Sequence, residues 1–135
     1  MTGEKALVIV DAANVVGSVP DHWWRDRHGA AERLRDSLVP YAAEGLTGHA
    51  AGPVELVLVV EGAARQVASV PGVRVEAASG SGDDLIAALA AAAQGARPCV
   101  VVTADRGLRQ RVEAYGARCT GPRTVRPLPP PSRGV

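Results

Sequence analysis

The apolar residues of this chain fall into short blocks separated by polar, glycine-rich or proline-rich stretches. The first block, Ala6-Leu7-Val8-Ile9-Val10, is continuous, rich in β-branched residues, and ends on Asp11. A run of that length and composition reads as a strand buried on both faces. Val54 to Val60 repeats the pattern and ends at Glu61-Gly62, and Val73 to Ala77 is a shorter run after the turn signal Pro71-Gly72. Cys99 to Thr103 is a fourth strand, ending at Ala104-Asp105, and Ala117 to Cys119 starts a short fifth.

Between these runs the spacing changes to helical. From Gly29 to about Gly45, Ala31, Leu34, Leu38 and Ala42 share one stripe, with Glu32, Arg33, Arg35 and Asp36 largely away from it. Pro40 removes one helical hydrogen bond and predicts a kink or an early end there. Asp83 to about Gln94 is alanine-rich and carries Leu85, Ile86 and Leu89; two acids in its first turn suit the helix dipole. Arg106 to Tyr115 predicts a third helix, with Leu108 and Val112 inward, Arg109, Arg111 and Glu113 outward, and Gly116 as its stop signal. Ala63 to Ser69 has room for one more short helix. Val15 to His28, Gly45 to Pro53 and Ser79 to Gly82 read as connections. Strands alternating with helices define the α/β class: a three-layer α/β/α domain with a parallel sheet and right-handed crossovers.

A chain of 135 residues forms one domain with a real core, and 47% hydrophobic residues are enough to fold it. No apolar run approaches the ~20 residues of a membrane helix. Met1 to Lys5 is too short and too weakly basic to open a secretory signal, so a soluble, cytoplasmic protein is expected. The domain is expected to span residues 1–121. The following 122–135 segment, rich in proline and arginine with little to bury, reads as a flexible tail. Cys99 and Cys119 lack Cys-x-x-Cys spacing, which excludes a zinc site or a disulfide framework; Cys99 reads as a small buried hydrophobe.

The net charge of +1 changes meaning once the acids are placed. Asp11 follows the first strand, Glu61 the second and Asp105 the fourth, while Asp83 and Asp84 open the helix reached from the third. In a parallel sheet these positions share the carboxyl edge, where ligands bind in open α/β folds. Without matching basic partners, acids gathered there repel one another, and a divalent cation relieves the repulsion. Hard oxygen ligands suit Mg2+ or Mn2+, which keep several waters and leave room for a phosphate. The plainer alternative for Asp11, Asn14 and Asp105 is helix capping, and a cap and a ligand are compatible roles. Trp23 and Trp24 are candidates for stacking on bases, with Arg25 and Arg27 on phosphates; the alternative is packing for one tryptophan and solvation for the arginines. Thr103 is a candidate ligand contact or a plain strand-end threonine. His22 and His28 lack partners at metal-ligand spacing and read as surface residues.

At Val8-Ile9-Val10-Asp11-Ala12-Ala13-Asn14-Val15, Gly82-Asp83-Asp84-Leu85-Ile86 and Val102-Thr103-Ala104-Asp105-Arg106-Gly107, the sequence resembles the NYN domains of the PIN-like nuclease superfamily, in the YacP-like branch. The resemblance reaches to about Gly121. It implies a parallel sheet in the order 3-2-1-4-5 and metal-dependent endonucleolytic cleavage of RNA. Carried over by position, it implies catalytic roles for Asp11, Asn14, Asp83, Asp84 and Asp105, with Asp11, Glu61, Asp84 and Asp105 as metal ligands. Trp24, Arg25, Arg27, Thr103 and Arg106 would bind substrate. Glu61 departs from the aspartate that many relatives carry after the second strand. RNA, single-stranded or structured, is the implied partner, with a homodimer or a ribosome-associated partner open beside it.

Two rival enzyme classes fail on single residues. A dehalogenase-like phosphatase needs an Asp-x-Asp pair after the first strand, where position 13 is alanine. A receiver domain needs a lysine late in the sheet, and Lys5 is the only lysine. The rival that stands is a non-catalytic RNA- or protein-binding module on the same scaffold.

Overall fold

The computed structural model describes residues 5–18 and 23–125. Residues 1–4, His22 and the tail positions 126–135 lie outside the described residues, as does the side chain of Trp23. Seven strands and four α-helices are present among the described residues: β1 Ala6–Asp11, α1 Ala12–Val16, α2 Arg27–Glu44, β2 Gly45–Leu46, β3 Ala50–Ala51, β4 Val54–Val60, β5 Val73–Ala77, α3 Gly82–Ala93, β6 Cys99–Val102, α4 Arg106–Glu113 and β7 Arg118–Thr120. The five longer strands form one sheet in the order β5-β4-β1-β6-β7, with every pairing parallel. Numbered among themselves they run 3-2-1-4-5, the expected order. β2 and β3 make a small antiparallel hairpin inside the connection expected at Gly45 to Pro53.

The alternation of β1 explains the layers. Val8 and Val10 join a core built with α1 and α2, through Val15, Ala31, Leu34 and Leu38. Leu7 and Ile9 join the opposite core with α3 and α4, through Ile86, Ala90, Leu108 and Val112. Side chains alternate across a strand, so a run that is apolar at every position buries both faces.

Several expected boundaries shift. A short helix, α1, starts directly after Asp11 within what reads as the end of a strand and a loop. Its N-terminus is capped by the Asp11 side chain. The helix expected at Ala63 to Ser69 is only a 3-10 turn, Gly62–Ala64. Helix α2 passes through Pro40 and runs on to Glu44, so the early end does not occur. Continuing the helix seats Tyr41 and Ala42 against the core around Leu38, which outweighs one missing hydrogen bond. The stop comes at Gly45, whose positive φ of 79° suits glycine and whose N–H donates to the Tyr41 carbonyl. Beyond β7, Pro122–Thr124 form a 3-10 turn and Val125 is buried in the α2-side core, so packed structure extends through Val125.

Pro40 is exposed, and a residue with an N–H there restores the helical bond to Asp36. Pro40→Ala is expected to raise stability by ~1–2 kcal/mol, since part of the helical gain is offset by a freer unfolded chain. Leu38→Ala, at a fully buried position, is expected to lose ~2–5 kcal/mol. Urea unfolding of the two variants reads both effects, and a destabilised Pro40→Ala contradicts the account.

Candidate functional site

The carboxyl edge of the sheet is assembled by strand register. Val10 stands opposite Val102, so the next residues, Asp11 and Thr103, emerge side by side from the two central strands. Asp11 also stands opposite Val59, so Glu61 leaves β4 two residues further on. Asp11 is only 6% exposed, and a buried carboxylate needs donors. The Thr103 hydroxyl donates to Oδ2 at 2.9 Å, and the Asn14 backbone N–H reaches Oδ1 at 3.3 Å.

Thr103 is fully buried, and its hydroxyl oxygen also accepts from the Asp105 N–H at 3.1 Å. It is therefore out of reach of an RNA strand, and the role of substrate contact is replaced by that of a post holding Asp11 and the following turn. The Arg109 guanidinium Nε donates to the Thr103 carbonyl at 2.9 Å and braces the same turn. Asn14 spends its side-chain carbonyl on the Ala104 N–H at 2.8 Å, tying α1 to the loop after β6; its amide group keeps donors for a ligand. Asp105 caps α4 by accepting from the Leu108 N–H at 2.9 Å.

The acids from β4 and α3 take distinct positions. Glu61 accepts from the Gly82 N–H at 2.6 Å, reaching from the end of β4 to the first residue of α3. A glutamate spans that gap where the shorter aspartate would fall short by a methylene. Adjacent helix residues diverge by ~100°, and Asp83 and Asp84 separate accordingly. Asp83 sits among the acids. Asp84 forms an ion pair with Arg111 of α4 at 3.1 Å, with its side chain largely exposed. Its charge thus has a basic partner, contrary to the expectation of acids without one. Arg111 faces α3 because α3 and α4 pack side by side on one sheet face, a pairing that helical periodicity within α4 does not reveal.

The electrostatics connect these groups. Burial pushes the Asp11 carboxyl above its ordinary pKa. The Thr103 and Asn14 hydrogen bonds oppose that rise, and the charges of Asp83 and Glu61 add to it. Asp83 is also raised, first by burial, then by Asp105 and Glu61; Arg111 pulls it back and Asp84 adds a little more. Asp83 and Glu61 therefore act on Asp11, and Asp105 and Glu61 on Asp83. They do not form a closed cage: among the described residues, no group of three or more His, Cys, Asp or Glu stands close enough to hold a metal ion.

Apart from Thr103, the substrate-binding candidates lie at the surface. Trp24 lies on a 3-10 turn, Trp23–Arg25, and is half exposed. Arg25 and Arg106 are exposed, and Arg27 opens α2 and lines a cavity with Glu61. His28 pairs with Glu32 one helical turn on, at 3.2 Å. Cys99 is buried, its thiol raised to about 11 by desolvation, which leaves it no role as a thiolate at this edge.

The strand order and the two helical layers define a PIN-like three-layer α/β/α fold. Among solved structures the chain is similar to Rae1 (YacP) from Bacillus subtilis, with a TM-score of 0.69 and 19% identity, covering 88% of this chain and 70% of that one. A tryptophan-to-leucine mutant of the same protein matches with a TM-score of 0.64 and 20% identity over the same shares. The motifs that resemble YacP-like NYN domains thus lie in a chain with the fold of a YacP protein. No family model and no curated protein matches the sequence. Among the described residues, no helix is long and apolar enough to cross a membrane.

The Asp11 shift has a testable sign. A carboxyl raised in the folded state binds its proton more tightly there than in the unfolded chain. Its contribution to stability is present in full below the ordinary value of 3.8 and is lost as pH rises through the folded value. Asp11→Asn is neutral at every pH and keeps an oxygen acceptor for the cap. In chelator-treated buffer the variant is expected to melt above the parent near neutral pH, with the gap closing as pH falls through the carboxylate range. Thermal melts across pH check this, and a parent as stable as the variant at neutral pH contradicts it.

Proposed function

We propose that this domain is a metal-dependent endoribonuclease that hydrolyses RNA phosphodiester bonds at the carboxyl edge of the sheet, using Mg2+ or Mn2+. The observation that carries the reading is the buried strand-end carboxyl of Asp11, raised first by burial and then by the nearby charges of Asp83 and Glu61, with Asp105 and Glu61 acting likewise on Asp83. Folding against such repulsion is characteristic of sites that serve a ligand. The donor set is all hard oxygen, which fits a magnesium-type ion. One or two of these carboxylates, with waters, would hold such an ion.

Bound there, such an ion supplies activation of a water and neutralisation of charge developing on the phosphate. The chain's own residues do the rest. Thr103 holds Asp11 in one orientation by its hydroxyl. Asp83, part exposed and with a raised carboxyl, is suited to take the water's proton. The Asn14 amide is free to donate to a phosphate oxygen. Arg106 and Arg25 lie at the surface to neutralise the flanking backbone, and Trp24 offers a face to a base. Asp84, tied to Arg111, would act as a spacer of charge, and Glu61 as the clasp of α3. The RNA would be cytoplasmic. A homodimer or a ribosome-associated partner would present RNA to this edge rather than complete it.

A second reading, a non-catalytic RNA- or protein-binding module, is favoured by one observation. Asp11, Asp105 and Glu61 each accept a backbone N–H, as structural acids do. Incubation of purified protein with labelled single-stranded and structured RNA, with Mn2+, Mg2+ or chelator, separates the two readings. Cleavage is expected only with metal, with a loss of ~100-fold or more in Asp11→Asn and Asp105→Asn, and ~10–100-fold in Thr103→Val, which keeps every carboxyl group but removes the donor that orients Asp11. Cleavage that survives chelation and both aspartate substitutions removes the metal mechanism. Absence of both cleavage and metal binding by calorimetry selects the binding module.

A further inference from the structure

A cavity of about 670 Å3 lies between the β2–β3 hairpin and the strands β6 and β7, and its basic side chains are Lys5, His49 and Arg118. Among the described residues no acid lines it. Strand register places the bases. Val8 stands opposite Val100, and Val100 opposite Arg118. Val8 and Val100 belong to the α2-side core, so Arg118 projects from that face, while the next residue, Cys119, turns to the α3–α4 side. Lys5 precedes β1, ~20 Å along the strand from Asp11. The hairpin forms the opposite wall. Leu46 is buried in the α2-side core and seats it, and His49 Nε2 lies 3.3 Å from the Thr120 hydroxyl, which fastens the hairpin turn to the end of β7. The acid on the neighbouring strand is already engaged: Glu55, opposite Leu7, accepts from Arg97 at 2.7 Å and from Arg74 at 3.0 Å. The Lys5 ammonium and the Arg118 guanidinium have no hydrogen bond or ion pair with another described residue.

We propose that this cleft holds the ribose-phosphate backbone of RNA at two successive phosphates, as an anchor separate from the acids. Arg118 is two strands across from β1 and three residues further along than Lys5, which sets their Cα atoms roughly 14 Å apart by ordinary strand spacings. Two long side chains reaching inward across that gap serve two phosphates of one chain rather than a single anion, the guanidinium by its fork and the ammonium as a point charge. The space between them falls within the ~300–1,000 Å3 of small-molecule sites, enough for the nucleoside that joins two phosphates. A pair of acidic side chains on a peptide would leave that space empty. The remaining lining is alanine, glycine, proline, valine and a cysteine, with no aromatic ring or amide side chain to read a base, so the contact is with the backbone and indifferent to sequence. The acids at the other edge repel RNA until a cation is bound, and in metal-free solution the cleft is where RNA holds on. The anchor does not depend on the acids cutting RNA and is the same for a nuclease and for a binding module.

The test is binding of labelled single-stranded RNA of mixed sequence to the full-length protein in chelator, read by fluorescence anisotropy over a range of salt concentrations. Lys5→Gln and Arg118→Gln change exposed residues and leave the core intact. Each is expected to weaken binding ~3-fold and to lower the slope of log affinity against log salt by ~0.7, and the double variant to weaken it ~10-fold and lower the slope by ~1.4, the loss of two phosphate contacts on a single strand. Arg33→Gln removes one exposed charge that does not line the cavity and is expected to leave the slope unchanged. That pattern supports the anchor, with or without cleavage when metal is added. A double variant that binds with the parent's affinity and slope overturns it, as does a parent that binds no RNA. Displacement of the RNA by polyglutamate as readily as by unlabelled RNA overturns the choice of RNA in favour of an acidic protein. Displacement by inorganic phosphate at comparable concentration overturns the two-phosphate contact in favour of a single-anion site.

Discussion

A hydroxyl with no access to solvent decides where the acid of the central strand points. Thr103 donates to Asp11 and accepts from the Asp105 N–H, so one oxygen links the ends of two strands and the start of a helix. The link forms only because β1 and β6 pair in the register that sets Val10 against Val102. A slip of one residue would send the threonine to the opposite face and leave a buried carboxylate without its strongest donor. Asn14 and Arg109 reinforce the same turn from α1 and α4, through the Ala104 N–H and the Thr103 carbonyl. The edge is held by interlocking hydrogen bonds among backbone and side chains, and its acids inherit their positions from that lattice.

Those acids show why capping and chemistry need not be separate roles. Asp11 caps α1, Asp105 caps α4, and Glu61 grips the first residue of α3. Each therefore stabilises the element that carries the next group of the site. What capping leaves unresolved is the like charge. Of the two α3 acids, the one turned toward Arg111 is neutralised within the protein, and the one turned toward the strand ends is left among its own kind. One helical step, from Asp83 to Asp84, separates a group on which Asp105 and Glu61 act more strongly than Arg111 from one ion-paired with Arg111.

The parts of this structure legible in the sequence were those governed by period and punctuation. The continuous runs at Val8 and Val57 needed burial on both faces, and that sufficed for a parallel sheet between two helical layers. The stripe through Ala31, Leu34 and Leu38 sufficed for α2. What sequence could not supply was set by contacts between distant segments. The five residues of α1 hold no full period, and they are helical because Asp11 caps them and Val15 and Val16 find the core. Pro40 carried a true local signal that packing overrode. The candidate acids were visible as strand-end residues, but the commitments of Thr103, Glu61 and Arg111 depend on partners up to 92 positions away, and no local pattern records them.

That distance has a consequence for the order in which the domain comes into being. β1 is the first strand made, yet its two neighbours are supplied by β4 and β6, from the middle and the late part of the chain. During synthesis Asp11 waits, without its hydroxyl partner, until the segment through Asp105 has left the ribosome and closed the sheet. A shortened product that stops within α3 would carry most of the acids without the Thr103 hydroxyl that orients Asp11. The central contact of the edge therefore forms only once β6 is available to pair with β1.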